Sequence, residues 1–169
     1  MLSKLILNVG LIWCLVSVGQ AREEETVEEC EKTMPASLKN RLCEVRKYTT
    51  VQGGDMDKHM QCVLEVVGFV EDNGDVNFQE LLGVLKMVDP NLDHAVNIKE
   101  CVGKATQVAA SKKANTFYTC FLSTSSSSAF KSAVDYAELI RAEKLTDEEP
   151  FNAELVAALI AEIDDGLCK

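Results

Sequence analysis

The stretch Glu71-Asp72-Asn73-Gly74-Asp75-Val76-Asn77-Phe78-Gln79-Glu80 clusters oxygen-bearing side chains around one glycine, the pattern of an EF-hand calcium loop. With Gly74 at the turn and Glu80 at the closing bidentate position, Glu71, Asn73, Asp75 and Asn77 fall at ligand positions. Phe69 then occupies the first position, where a hard cation requires a carboxylate, and no second loop accompanies this one. The stretch therefore reads as a helix-turn-helix corner in which Gly74 supplies a positive φ, and no metal is expected. Nucleophilic patterns fare no better. The chain has no Gly-x-Ser-x-Gly elbow and no glycine-rich phosphate loop. A secreted phospholipase would need a His-Asp dyad, whereas His59 is followed by Met60. Neither an enzyme nor a cofactor is expected.

The cysteines carry a clearer message. Removing an amino-terminal leader would take Cys14 and leave Cys30, Cys43, Cys62, Cys101, Cys120 and Cys168, an even number suited to three disulfides in an exported domain. No Cys-x-x-Cys pair occurs and His59 and His94 are the only histidines, so a zinc site is not expected. Spacing leaves the pairing open. The leader itself is residues 1–21: a basic start at Lys4, an apolar run from Leu5 to Val18, and small residues Gly19 and Ala21 framing Gln20. That run is shorter than the roughly 20 apolar residues a membrane span needs, and Glu23, Glu24 and Glu25 follow it. Cleavage after Ala21 is expected, leaving residues 22–169 as one exported domain with no membrane partner.

With 47% hydrophobic residues, 26% charged, 9 Gly and 3 Pro, the composition suits one globular domain and excludes collagen-like or disordered classes. The 17 Lys and Arg against 27 Asp and Glu give a formal charge of −10, which argues against nucleic acid and favours cationic partners. No Asn-x-Ser/Thr acceptor occurs, so glycosylation is not expected.

Helical periodicity runs through nearly the whole of the expected domain, and no segment alternates as a half-buried strand would. An all-α fold follows. A short helix runs from Thr26 to Met34 and stops at Pro35. Ser37 caps a second, carrying Leu38, Leu42 and Val45. After a loop from Thr49 to Gly54, Asp55 caps a third helix with Met56, Met60, Val63, Val67 and Val70 on its apolar stripe and His59 at the edge. Further helices are expected from Phe78 to Val88, from His94 to Gln107 and from Ala114 to Leu122. The serines 125–128 read as a loop and helix cap. They lead into a stripe of Phe130, Ala133, Val134, Ala137 and Ile140. A last helix runs from Ala153 to Asp165 and ends at Gly166.

The stretches Thr26-Val-Glu-Glu-Cys30-Glu31, Leu42-Cys43-Glu-Val-Arg46-Lys-Tyr48, Asp55-Met-Asp-Lys-His59-Met-Gln-Cys62-Val-Leu-Glu-Val-Val-Gly-Phe69, Lys113-Ala-Asn-Thr-Phe-Tyr118-Thr-Cys120-Phe-Leu122 and Ile163-Asp-Asp-Gly-Leu-Cys168 resemble the short-form D-seven salivary proteins of blood-feeding mosquitoes, from end to end. The resemblance implies an odorant-binding-protein-like shell of about seven to eight helices and three disulfides around a central ligand pocket. It implies the pairs Cys30-Cys62, Cys43-Cys168 and Cys101-Cys120. It also implies secretion into saliva and binding of host serotonin, histamine and noradrenaline, countering vasoconstriction, platelet aggregation and inflammation. The amine-binding residues it implies fall on Glu31, Arg46, His59, Tyr118, Asp135 and Glu138.

Those residue types suit the ligand. An amine offers an ammonium, a flat ring and a polar far edge. Asp135 and Glu138 are three apart on one expected helix and share a flank beside Val134. Each carboxylate would attract an ammonium at about 4 Å by roughly 4 kcal/mol before desolvation and mutual repulsion are subtracted. His59 on an otherwise apolar face could meet a ligand hydroxyl. Tyr118 could be ordinary core, and Arg46 and Glu31 could be a surface pair. Two other functions compete: a carrier of an apolar eicosanoid or odorant, and a protein-binding inhibitor of host coagulation or kinin formation acting on host plasma proteins. A monomer is expected.

Overall fold

The computed structural model describes residues 26–148 and 150–168, so the expected leader and its cleavage site lie outside the described residues. Among the described residues it contains nine helices: α1 Val27–Lys32, α2 Ala36–Lys39, α3 Leu42–Arg46, α4 Gly54–Val66, α5 Phe78–Val88, α6 His94–Ala105, α7 Ala110–Phe121, α8 Ser127–Arg141 and α9 Ala153–Leu167. Only an isolated bridge between Val70 and Val76 departs from the all-helical plan among them.

Capping explains several starts. The Asn77 side chain accepts from Glu80 N–H, Asp93 from Ala95 N–H, and Asn152 from Glu154 and Leu155 N–H, meeting donors that a helix start leaves open. α7 lies against α4 on one side and α6 on the other, while α8 lies against α5 and α9. Phe117, Phe121 and Phe130 form the aromatic centre, with Phe121 and Phe130 at 4.9 Å in an edge-on contact and Phe69 beside Phe130. Disulfides join Cys30 to Cys62, Cys43 to Cys168 and Cys101 to Cys120. They tie α1 to α4, α3 to the end of α9, and α6 to α7.

Several expected boundaries differ. The second expected helix divides into α2 and α3, because Arg41 N–H bonds back to Leu38 O at 2.7 Å and tightens the turn. The reset axis buries Val45 and lets Cys43 meet Cys168. Pro35, not Ser37, stands at the cap of α2, and the Ser37 hydroxyl donates to Asp55 instead. Asp55 lies inside the first turn of α4, where a carboxylate is favoured by the helix dipole, and Gly53 at φ 126° takes the cap. α6 ends two residues early, at Ala105, while α7 begins four residues early, at Ala110. α9 continues through Gly166 to Leu167. Ser126 stands before α8 but makes no cap bond. Its hydroxyl meets His94 Nδ1 at 2.8 Å and accepts from Asn97 at 2.7 Å, while His94 Nε2 lies 2.8 Å from Asp89 O. His94 is thus a fully buried structural histidine.

The acidic corner before α5 is held by the protein's own groups. Lys113 Nζ contacts Asp75 at 2.6 Å, and Gln61 donates to Glu71 O at 2.9 Å. Among the described residues no group of three His, Cys, Asp or Glu side chains is arranged to hold a metal, and no helix is long and apolar enough to cross a membrane. Gly74 sits at φ 77°, and a Cβ there would stand 3.0 Å from Ala110 O and 3.0 Å from Lys113 Cβ. Gly74→Ala is therefore expected to cost about 2 kcal/mol in urea unfolding, through strain and contact together. Stability equal to that of the parent protein would refute this.

Candidate functional site

One cavity draws on α1, α3, α4, α7 and α8 and on the residues just after α3. All six residues named from the sequence line it: Glu31, Arg46, His59, Tyr118, Asp135 and Glu138. Val27, Val45, Met60, Val63 and Val134 supply the apolar walls, and Tyr48 completes the ring of polar groups. The free space is about 40 Å³, enough for only a few waters at roughly 10 to 15 Å³ each. An aromatic guest must displace side chains, and Met60 offers an adaptable wall.

Arg46 governs the anionic end. Its side chain is only 6% exposed, and the guanidinium reaches Glu31 on α1, Asp164 on α9 and, at 3.1 Å, Glu138 on α8. Burial opposes its charge, but Glu138, Glu31 and Asp164 outweigh that and hold it well above the ordinary arginine value. Asp135, one turn before Glu138, accepts from the Tyr48 hydroxyl, and Lys131 O lies 3.0 Å from the same hydroxyl. Four carboxylates therefore gather about one guanidinium. The imbalance shows in their affinities for protons. Burial pushes Glu138 up to about 7, with Arg46 pulling down and Glu31 pushing up. Burial likewise pushes Asp135 up to about 6, against the Tyr48 hydrogen bond. Glu31 is raised by burial despite Arg46.

The rest of the polar lining is neutral. Burial pushes His59 down to about 4 against the pull of the Cys30 backbone, so its ring is uncharged at neutral pH. Its buried Nδ1 has no hydrogen-bond partner, and neither has Glu31 Oε2. Orphaned buried polar atoms are costly, and both line this cavity. Tyr118 and Tyr48 lie stacked with ring centroids 6.5 Å apart at 27°. Burial raises both phenols above their ordinary value.

Two contributors escaped the sequence reading. Tyr48 lies beyond a five-residue helix at φ 60°, where no periodicity signals which way a side chain faces. Asp164 belongs to an acidic pair on a largely exposed helix, which reads as a solvated face until Arg46 is seen beside it. The arrangement can hold a cation beside apolar and aromatic walls and meet a polar group of the guest with the unpartnered His59 Nδ1 and Glu31 Oε2.

The PBP/GOBP family profile matches residues 20–124. Short form salivary protein D7R3 of Anopheles gambiae is 66% identical over 168 residues, covering 99% of each chain. D7R2 of the same species is 61% identical over 168 residues, covering 99% of this chain and 100% of its own. Among solved structures, the Anopheles gambiae D7R4-norepinephrine complex aligns with a TM-score of 0.81 at 36% identity, covering 86% of this chain and 100% of that chain. The AeD7-leukotriene E4 complex aligns with a TM-score of 0.61 at 21% identity, covering 77% of this chain and 46% of that chain, a likeness of fold alone.

Replacing Arg46 by Met leaves Glu31, Glu138 and Asp164 crowded without their cation. The expected cost at pH 7.5 is about 3 to 5 kcal/mol in urea unfolding. A carboxyl whose folded pKa exceeds its unfolded value contributes stability as pH falls, and loses it as pH rises through the folded pKa. The deficit of Arg46→Met should therefore narrow by pH 5, where the raised carboxyls take up protons. A deficit identical at both pH values would show that packing, not charge, is at stake.

Proposed function

The chain belongs to the short-form D7 salivary proteins of the PBP/GOBP family, and from that premise we propose that it is secreted into saliva to sequester host biogenic amines. The amines are serotonin, histamine and noradrenaline, and their removal counters vasoconstriction, platelet aggregation and inflammation during blood feeding. The observation that carries this reading is the excess of buried carboxylate over buried cation at one end of an aromatic-walled cavity. Asp135 and Glu138 take the ammonium, the Tyr118 ring lies along the flat body, and the unpartnered His59 Nδ1 and Glu31 Oε2 meet a hydroxyl or ring nitrogen. Arg46 keeps the acids in place without neutralising them all. A 36% identical neighbour solved in complex with norepinephrine supports an amine as the class of ligand. The protein acts as a monomer by stoichiometric capture, so abundance and affinity set its effect.

An eicosanoid would bring its own carboxylate against Asp135, Glu138 and Glu31, which opposes it. A protein-directed inhibitor of the contact system would use an outer surface and survive loss of the pocket. Isothermal titration should give saturable one-to-one binding of at least serotonin. Asp135→Asn combined with Glu138→Gln should weaken it roughly tenfold or more, since the ammonium then loses both ionic partners. Equal affinity in the double variant would remove the mechanism, and contact-system inhibition persisting in it would establish a second, separate surface.

The pocket also ties affinity to pH. An ammonium favours ionised carboxylates, whereas the free protein holds protons on Glu138 with a pKa of about 7 and Asp135 with a pKa of about 6. Below pH 7 binding must expel a proton, and below pH 6 a second. Serotonin affinity should fall as pH drops from 7.5 to 5.5, by roughly a hundredfold overall, with a binding enthalpy that varies with buffer ionisation. A flat profile with no buffer dependence would contradict this.

A further inference from the structure

The small amine cavity shares part of its lining with a larger hollow. Val27, Glu31 and Glu138 line both the amine cavity and a space of about 510 Å³ between α1, the end of α8 and α9. On the other side the cavity is backed by the core, where Tyr118 lies against Phe130, so no path leads out through α7. Glu28 and Glu162 stand at the edge of the hollow with Lys144, and Ile163 and Gly166 of α9 line it. Glu31 is the hinge between the two spaces: its side chain is 6% exposed, and its Oε2 is buried without a partner. Asp164, next to Ile163, reaches Arg46, so the helix that closes the hollow also touches the cation that organises the cavity.

We propose that this hollow is the entrance to the site, in which a primary ammonium attached to a flat ring passes from Glu28 and Glu162 to Glu31 and Glu138 before reaching Asp135. The inference rests on the amine-binding reading. The acids along this route draw a cation inward, while Lys32, paired with Glu28 at 2.8 Å, and Lys144 at the rim oppose it. The bridge from Arg46 to Glu31 and Glu138, the two acids that line both spaces, is the inner barrier, because an aromatic ring larger than the free space must push past it. Entry and exit use the same route, so an obstruction there slows both while leaving the bound state unchanged.

Gly166 provides the obstruction. A Cβ built there meets nothing within 4 Å and its φ is ordinary, so Gly166→Phe places a ring in the hollow without backbone strain. The only tryptophan, Trp13, lies in the expected leader, so serotonin's own indole emission can follow binding in stopped flow. Gly166→Phe should slow association and dissociation each by roughly tenfold while the dissociation constant stays within about threefold. Glu28→Gln with Glu162→Gln should slow association by roughly threefold at low salt, Lys144→Glu should speed it, and both differences should vanish at about 0.5 M salt. If Gly166→Phe fails to fold, the charge variants decide. Serotonin binding with association rates unaltered in the folded variants overturns the entrance and spares the amine site. A parent protein that binds no serotonin overturns both.

Discussion

A single buried guanidinium surrounded by more carboxylate than it can neutralise is the constraint around which this molecule is organised. Arg46 reaches helices α1, α8 and α9 at once through Glu31, Glu138 and Asp164. A buried ion cluster of this kind is weak evidence for stability, since desolvating each charge is expensive. On the proposed amine-binding reading its sense is functional: carboxylates outnumber the guanidinium, so the site is short of positive charge, and burial raises the proton affinities of Glu138 and Asp135. In that reading an entering cation relieves the deficit.

The shell makes the deficit tolerable. An unbalanced buried cluster pushes its elements apart, and here those elements are tied covalently. Cys43-Cys168 holds α9 against the short α3 that bears Arg46, and Cys30-Cys62 holds α1, which bears Glu31, against α4, which bears His59. In the usual account such bonds act by restricting the unfolded chain, leaving the folded state free to carry strain. The aromatic cluster of Phe117, Phe121 and Phe130 anchors α7 and α8 from behind, so Tyr118 and the Asp135-Glu138 pair face the cavity from rigid helices.

How much was legible varies by element. The stripe on α4 placed His59 at an apolar edge, and in the fold it is buried beside Met60 and Val63. The break in α2-α3 was not visible, because Leu38, Leu42 and Val45 satisfy helical spacing equally well in one helix or two. Ser37 and Asp55 are good capping residues that instead bond each other, a competition only tertiary proximity creates. The acidic loop around Gly74 had the glycine its turn demands, and Lys113 from α7 pairs with its Asp75, a contact only the fold creates. The convergence of Glu31, Arg46, His59, Tyr118, Asp135 and Glu138 entered through resemblance to a family and not through any spacing in the chain.

The sequence by itself determined helical class, the even set of six cysteines after an expected leader, and an acidic balance suited to cations. These are local or summed properties, and periodicity and composition report them directly. Only the tertiary structure decided which of 27 acidic residues face inward. Arg46 meets partners 15, 92 and 118 residues away, and Tyr48 meets Asp135 at a separation of 87. The physical reason is that amphipathic patterning records which face of a helix avoids water, whereas a buried charge is set by where several such faces meet. An aspartate such as Asp164 on a largely exposed helix carries the same local signature whether it ends in solvent or against a guanidinium.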